Sequence, residues 1–428
     1  MNKNILNQMF QIQNENTTIR TEILAGITSF VTVSYIVIVN GTVLNLAGMP
    51  YEAVTIATVL VSFLGCMLMA FWANSPLILI PGMGDNAFFV FTLVFSLGLT
   101  WEQSLVAVLF AGIAFVIISF TKLADYLSHA VPVSLIYAIT AGIGLFVAFL
   151  GFKNGGIIVS QEDSFVQLAT LGDRMALTSI LTLIVMLFLI IKKVKGNILI
   201  GIIVGTIIGI LLGITDISSL SQFEISFDGY ESVFFAYDFS AMNDFNFWIG
   251  VFSLTMVVLF QNMGAQLSML PNKSKFKKSY QANAFSIVGA SLFGSSSTAT
   301  TAESATGISL GGKTGLTSFT AGILFIPTLF FIPILTVIPL SAIAPVLIIV
   351  GFLMFQSAVE EIPFNDLTEA IPAFLMITVM PFSLNIPNGI GFGFISYVLL
   401  KLFTGKKEEL NKTMYVIAFL FLIYFFLY

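Results

Sequence analysis

Gly294-Ser295-Ser296-Ser297-Thr298-Ala299-Thr300-Thr301-Ala302-Glu303-Ser304-Ala305-Thr306-Gly307 interrupts a long apolar run in the second half of the chain. Ser75-Pro76-Leu77-Ile78-Leu79-Ile80-Pro81-Gly82-Met83-Gly84-Asp85-Asn86-Ala87-Phe88-Phe89 interrupts one at a matching place in the first. Each break follows roughly sixty residues after its half enters its first apolar run, counting from Glu22 and Asp244. Two interrupted segments in corresponding positions are the best sequence-level pointer to the substrate site of a secondary carrier.

Working outward, the 428 residues are 57% hydrophobic and only 9% charged, with a mean hydropathy of +1.00. Soluble domains carry about 25% charged residues, so the composition predicts an all-α polytopic membrane protein whose main partner is the lipid bilayer. The net charge of −5 gives no sign of nucleic-acid binding. Met1 to Thr18 is polar, and the first apolar run is long enough to stay as a span, so no cleaved signal peptide is expected. Cys66 and His129 are the only residues of their kinds. No intrachain disulfide, metal site or cofactor built on such ligands is expected.

A spanning helix needs about 20 mostly apolar residues. Runs near that length lie at 22–46, 52–74, 76–98, 101–121, 132–152, 174–192 and 197–215. A second series lies at 245–270, 279–293, 295–312, 315–338, 342–358, 368–385 and 387–403. This is seven and seven. The halves echo one another: Gly196-Asn197 and Asn388-Gly389 open the last span of each, and Pro132 and Pro345 are expected to begin the fifth. The tail 413–428 is apolar, short for a span and compatible with an interfacial position.

Lys3, Arg20, Lys122, Lys192, Lys193, Lys195, Lys273, Lys275, Lys277, Lys278, Lys313, Lys401, Lys406, Lys407 and Lys412 all fall on the N-terminal side of this arrangement. Only Lys153 and Arg174 lie opposite, where the 216–244 loop carries Asp216, Glu224, Asp228, Glu231, Asp238 and Asp244. The positive-inside rule places the N-terminus in the cytoplasm. An odd number of spans per half inverts the second half against the first, as an inverted repeat requires.

Few residues can carry chemistry at membrane depth. An ionised side chain at the bilayer centre costs about 2.5–3.5 kcal/mol on insertion scales, so Glu303 reads as a substrate or proton group; an interfacial acid, or one hydrogen-bonded to a neighbouring helix, is the plainer alternative. Asp85 and Asn86 follow Pro81, Gly82 and Gly84, where a half-helix is expected to start. Asp85 is either a functional acid or a first-turn cap of that helix. Ser295–Thr301 has the same logic of extended backbone leading into a half-helix, tolerable only against protein or a water-filled cavity. Gln261, Asn262 and Gln266 lie on the eighth segment, with Gly264 one turn from Gln261. Their amides both donate and accept, which fits a neutral heterocycle or an interhelical bond. His129 reads as interfacial, the Lys273–Lys278 cluster as an orientation signal, and Phe88 or Phe89 as a stacking or core aromatic.

Several motifs together then resemble one family. They are Thr21-Glu22-Ile23-Leu24-Ala25-Gly26-Ile27-Thr28-Ser29-Phe30, Pro81-Gly82-Met83-Gly84 with Asn86-Ala87-Phe88-Phe89, and Glu303-Ser304-Ala305 with Gly307. Gly311-Gly312-Lys313-Thr314-Gly315-Leu316-Thr317, Glu369-Ala370-Ile371-Pro372-Ala373-Phe374 and Asn388-Gly389-Ile390-Gly391-Phe392-Gly393-Phe394-Ile395-Ser396-Tyr397 complete the set. The chain resembles the azaguanine-type hypoxanthine/guanine/adenine permease branch of the nucleobase:cation symporter family. That resemblance implies 14 transmembrane segments as a 7+7 inverted repeat, with short strands in broken segments 3 and 10. It implies a core domain (1–121 and 245–338) and a gate domain (122–244 and 339–428). Glu303 matches the family's span-ten glutamate, which hydrogen-bonds the base. Two departures stand out: Gln261 and Val258 occupy positions commonly acidic in the branch, and Asp85 stands where an apolar residue is usual.

The expected function is import of a purine nucleobase across the inner membrane, by proton symport (sodium being the alternative) and an elevator-like shift of core against gate. Substrate contact is expected from Glu303, Gln261, Asn86, Asp85, Phe88, Ser304 and Thr301, and coupling from Glu303 and Asp85. A homodimer is compatible with this reading. An anion carrier of the same fold and a non-transporting sensor are the rivals. No nucleophile–base pair or metal cluster suggests an enzyme.

Overall fold

The computed structural model describes residues 3–121, 131–160, 166–170, 172–215, 229–335 and 337–427. Lys122, His129, Asp216, Glu224 and Asp228 lie outside them. All fourteen expected segments are present. Nine helices among the described residues are long and apolar enough to cross a membrane.

After a short helix α1 (Lys3–Phe10), the first segment is two helices, α2 (Ile19–Val33) and α3 (Ile36–Asn45). Next come α4 (Tyr51–Leu68), a third segment of β1 (Leu79–Pro81), α5 (Met83–Ala87) and π-wound turns to Ser96, then α6 (Trp101–Phe120). The half closes with α7 (Val133–Asn154), a small hairpin of β2 (Ile158–Val159) and β3 (Gln167–Leu168), α8 (Arg174–Ile191) and α9 (Asn197–Leu211). The second half repeats the plan with α10 (Phe245–Met269), α11 (Phe276–Leu292), β4 (Thr298–Thr300) with α12 (Ser304–Ser309), and α13 (Gly315–Phe325) prolonged by α14 (Ile332–Leu335). It ends with α15 (Leu340–Val359), α16 (Leu367–Ser383), α17 (Ile386–Phe403) and α18 (Lys412–Leu427).

Polar caps set many helix starts. Thr100 and Gln103 form a reciprocal capping box at α6, and Asp173 and Asp244 accept backbone N–H groups at α8 and α10. Such caps satisfy donors that have no partner within the helix. The same logic joins two distant motifs. Glu22, fully buried, accepts from the backbone N–H of Lys313 (2.9 Å) and Thr314 (3.2 Å) and from the Thr317 hydroxyl (2.6 Å). The first segment is thereby locked to the start of the eleventh.

Corresponding elements of the halves meet each other. β1 pairs with β4, and α7 packs along α15 where Gly144 faces Gly351; a Cβ on Gly351 would stand 2.4 Å from the Gly144 carbonyl oxygen. Such backbone proximity is the small-residue mode of helix packing in membranes.

Two expectations need correction. Pro132 directly precedes α7, but Pro345 lies inside α15, which follows Pro339. The tail is not an interfacial strip: α18 runs antiparallel along α17, with Tyr424 donating to Asn388 (2.9 Å) and Phe421 stacked on Phe394. Lys401, one of the charges on the N-terminal side, is fully buried in an ion cluster with Glu369 (2.6 Å) and Glu409 (2.5 Å).

Candidate functional site

Pro76, Pro81 and Gly82 deny the third segment a continuous helix, and the β-branched run Thr298–Thr301 favours extended backbone in the tenth. The two stretches solve each other's hydrogen-bonding problem by pairing antiparallel, Leu79 with Thr300, Ile80 with Ala299 and Pro81 with Thr298. Gly294 makes the approach with φ +81°, and a Cβ there would stand 2.4 Å from the Val233 carbonyl oxygen. Past the pair, α5 and α12 begin, so two helix starts flank one point.

Neighbouring side chains hold this crossing rigid. Asn262 accepts from the Thr300 backbone N–H (2.8 Å), and Gln266 donates to the Thr300 hydroxyl (3.0 Å). Ser304 accepts from the Ile78 N–H (3.1 Å), and Ser296 donates to Asn86. Asn262, Ser304 and Asn86 therefore serve the scaffold first, tying the two breaks together. Phe88 is fully buried in the hydrophobic core.

Other groups at the crossing are left without partners. Both carboxylate oxygens of Asp85, 1% exposed, lack a well-formed hydrogen bond, with the Ser297 hydroxyl beside them but outside good hydrogen-bonding geometry. The amide oxygen of Gln261 is unpaired, and so is the Thr301 hydroxyl. Gln261 lies against the start of α5, since a Cβ on Gly84 would be 3.7 Å from Gln261 Oε1. That same Cβ would be 2.5 Å from Ile143 of α7 and 3.6 Å from Met354 of α15. The unpaired groups thus gather where the crossing meets α7 and α15.

Glu303, half-buried at the N-cap of α12, is hydrogen-bonded by the Tyr35 hydroxyl at 2.6 Å. Tyr35, which sequence reasoning missed, and Ser297, which it named only within the Ser295–Thr301 stretch, stand beside the candidate acids. The available signal for Tyr35 was weak, a Ser34-Tyr35 pair inside an apolar run. An acid, an amide and hydroxyls in a buried polar spot suit a neutral ligand that both donates and accepts hydrogen bonds. Among the described residues, no lysine or arginine pairs with these groups.

Burying polar atoms unpaired costs about 1–3 kcal/mol each, so the crossing holds polar groups that packing leaves unsatisfied. The comparisons with known proteins agree in kind. The Xan_ur_permease model, described as a permease family, matches residues 20–392. The nucleobase transporter PlAzg2 of Paenibacillus larvae is 40% identical over 384 residues, covering 89% of this chain and 77% of that protein. Adenine permease AdeP of Escherichia coli is 34% identical over 98% of this chain and 95% of its own, and guanine/hypoxanthine permease PbuO of Bacillus subtilis 35% over 98% and 100%. Among solved structures, the transmembrane domain of the cyanobacterial bicarbonate transporter BicA shares the fold, with a TM-score of 0.62 at 17% identity, covering 85% of this chain and 96% of that one. Murine Slc26a9 does so at 0.64 and 12%, covering 90% and 68%. By the family model and relatives above 30% identity over nearly all its length, the chain belongs to the nucleobase permeases, in the azaguanine-type hypoxanthine/guanine/adenine branch.

Proposed function

We propose that this multi-pass membrane protein carries a purine nucleobase, coupled to a proton, from the outside of the inner membrane to the cytoplasm. The observation that carries the reading is the set of unpaired buried groups, Asp85, Gln261 and Thr301, beside Glu303 at the crossing of β1 and β4. A purine edge presents ring N–H donors beside ring-nitrogen and exocyclic acceptors. Glu303 accepts an N–H from the base, while the Gln261 amide complements a neighbouring donor–acceptor pair. The names of the relatives, adenine and guanine/hypoxanthine permeases among them, support the substrate class.

An unpaired carboxylate in a dry interior is costly to keep ionised, by several kcal/mol. Asp85 is therefore assigned the coupled proton, which it takes with the substrate and yields on release. The core domain (1–121 and 245–338) bears every one of these groups, and the gate domain (122–244 and 339–428) meets them through Ile143 and Met354. An elevator-like displacement of core against gate carries the site across, with the N-terminus cytoplasmic.

The anion-carrier fold of the solved structures supports a second reading. It fits less well, since among the described residues the crossing offers two carboxylates and no pairing cation. Competition for labelled adenine uptake in permease-deficient cells, by hypoxanthine, guanine, xanthine, uracil and bicarbonate, tests both. Competition by purines alone is expected, and no uptake of any base would overturn the proposal.

A further inference from the structure

The first segment bends where no proline or glycine stands. α2 ends at Val33 and α3 starts at Ile36. Between them Val37 and Ile38 donate to Ser34 and Tyr35, three residues back, at 3.2 and 3.1 Å. This tightened winding marks a hinge or a sequence under strain. Tyr35 sits at the bend, 1% exposed, and aims its hydroxyl across to Glu303.

Both arms of the bend are tied to the chain around the tenth segment. On the α2 side, Glu22 caps α13, and Gly307 of α12 packs against Ser29 and Ala25 with no room for a Cβ. On the α3 side, Asn40 donates to Thr58 (2.6 Å) and to Ser295 (3.2 Å), the residue opening the break that leads to β4. The bend of the first segment and the break of the tenth thus face each other, and Tyr35–Glu303 is the side-chain link between them.

We propose that Tyr35 is the positioning residue for Glu303: its hydroxyl holds Oε1, fixes the carboxylate plane and leaves Oε2 to meet the base. The inference rests on the ligand role of Glu303 proposed above. A phenol–carboxylate hydrogen bond at 2.6 Å is charge-assisted and short, strong enough to select one orientation of a side chain with three rotatable bonds. Among the described residues Tyr35 is the only side chain hydrogen-bonded to this acid, so removing the hydroxyl frees Glu303 to rotate.

Tyr35→Phe tests this, because it deletes the hydroxyl and keeps the ring. Purified wild-type, Tyr35→Phe, Glu303→Gln and doubly substituted protein are compared in proteoliposomes for adenine uptake. Infrared spectroscopy follows the carboxylate band that Glu303→Gln removes. The expected result is an apparent KM raised roughly tenfold by Tyr35→Phe, with the melting temperature held, no further loss in the double variant, and a displaced carboxylate band. An unmoved band, an unchanged KM, or losses that multiply in the double variant would each overturn the proposal. If wild-type protein transports no base, the purine reading fails while the band still decides whether Tyr35 holds Glu303. A Tyr35→Phe protein that fails to fold is replaced by Tyr35→Trp, whose indole N–H supplies a different donor and is expected to restore the band in part; no restoration counts against positioning.

Discussion

Two clusters of acidic groups in this molecule are treated in opposite ways. Where α7, α16 and α17 meet, Glu369 accepts from Tyr397 (2.9 Å) and from Ser134 and is ion-paired with Lys401, whose ammonium also meets Glu409 and lies 5.1 Å from the centre of the Tyr397 ring. Nearly every polar atom there has a partner. At the crossing of β1 and β4, Asp85 has only the Ser297 hydroxyl beside it, in poor geometry, and Gln261 keeps a bare carbonyl. A saturated cluster fastens α7, α16 and α17 together. The other leaves polar atoms unsatisfied. Chain chemistry alone does not separate the two; the partner count does.

The sharpest break of this contrast is at Lys401. Lys401→Met leaves Glu369 without its cation, and breaking a buried pair costs about 3–5 kcal/mol; partial exposure of Glu369 puts the expected loss near the lower end. Melting of detergent-solubilised protein should drop by several degrees, while the KM of what remains folded stays unchanged. Adding Glu369→Gln should restore part of the stability. An unaltered melting curve would mean that the cluster is decoration.

Glu303→Gln should do the reverse. Removing a hydrogen bond to an ionised group costs about 1.5–3 kcal/mol, read as a ten- to hundredfold weaker substrate affinity with normal insertion and nearly normal melting. Normal uptake and pH dependence would remove Glu303 from the site.

Asp85 gives a smaller and two-sided effect. Asp85→Leu should abolish coupled uptake yet leave stability equal or slightly higher, since an unpaired buried acid is lost. Combining it with Gln261→Asp should restore part of the coupling, with a non-additive term of about 0.5–3 kcal/mol in a double-mutant cycle. Independent effects would reduce Asp85 to a first-turn residue of α5.

The mildest test changes no function. In a protein with Cys66 replaced, cysteines at Ser232 and Ser274 should differ in intact cells. An impermeant thiol reagent is expected to label position 232 and spare 274. The opposite pattern would invert the orientation and with it the direction in which the site opens.

Much of the architecture was legible because hydrophobic length is a local property. A run of apolar residues spans wherever it lies, and Pro81, Gly82 and the Ser295–Thr301 stretch break helices by their own backbone chemistry. The acids at the breaks stood out for the same reason, as did the β1 and β4 strands once the family motifs were recognised. The Lys401 ion cluster was not legible, because its partners Glu369 and Glu409 come together only through the packing of the last segments. Tyr35 was passed over because a tyrosine in an apolar run has no local mark of function.

Sequence alone determined that this chain lives in a membrane, in two repeated halves, with polar breaks at membrane depth. Only the tertiary structure decided which of those polar groups serve the scaffold and which remain free. Asn262, Ser304 and Asn86 found partners across the crossing, whereas Asp85, Gln261 and Thr301 did not. Whether a buried polar atom is satisfied depends on residues hundreds of positions away, as with Tyr35 and Glu303, and a one-dimensional pattern holds no record of who will face whom.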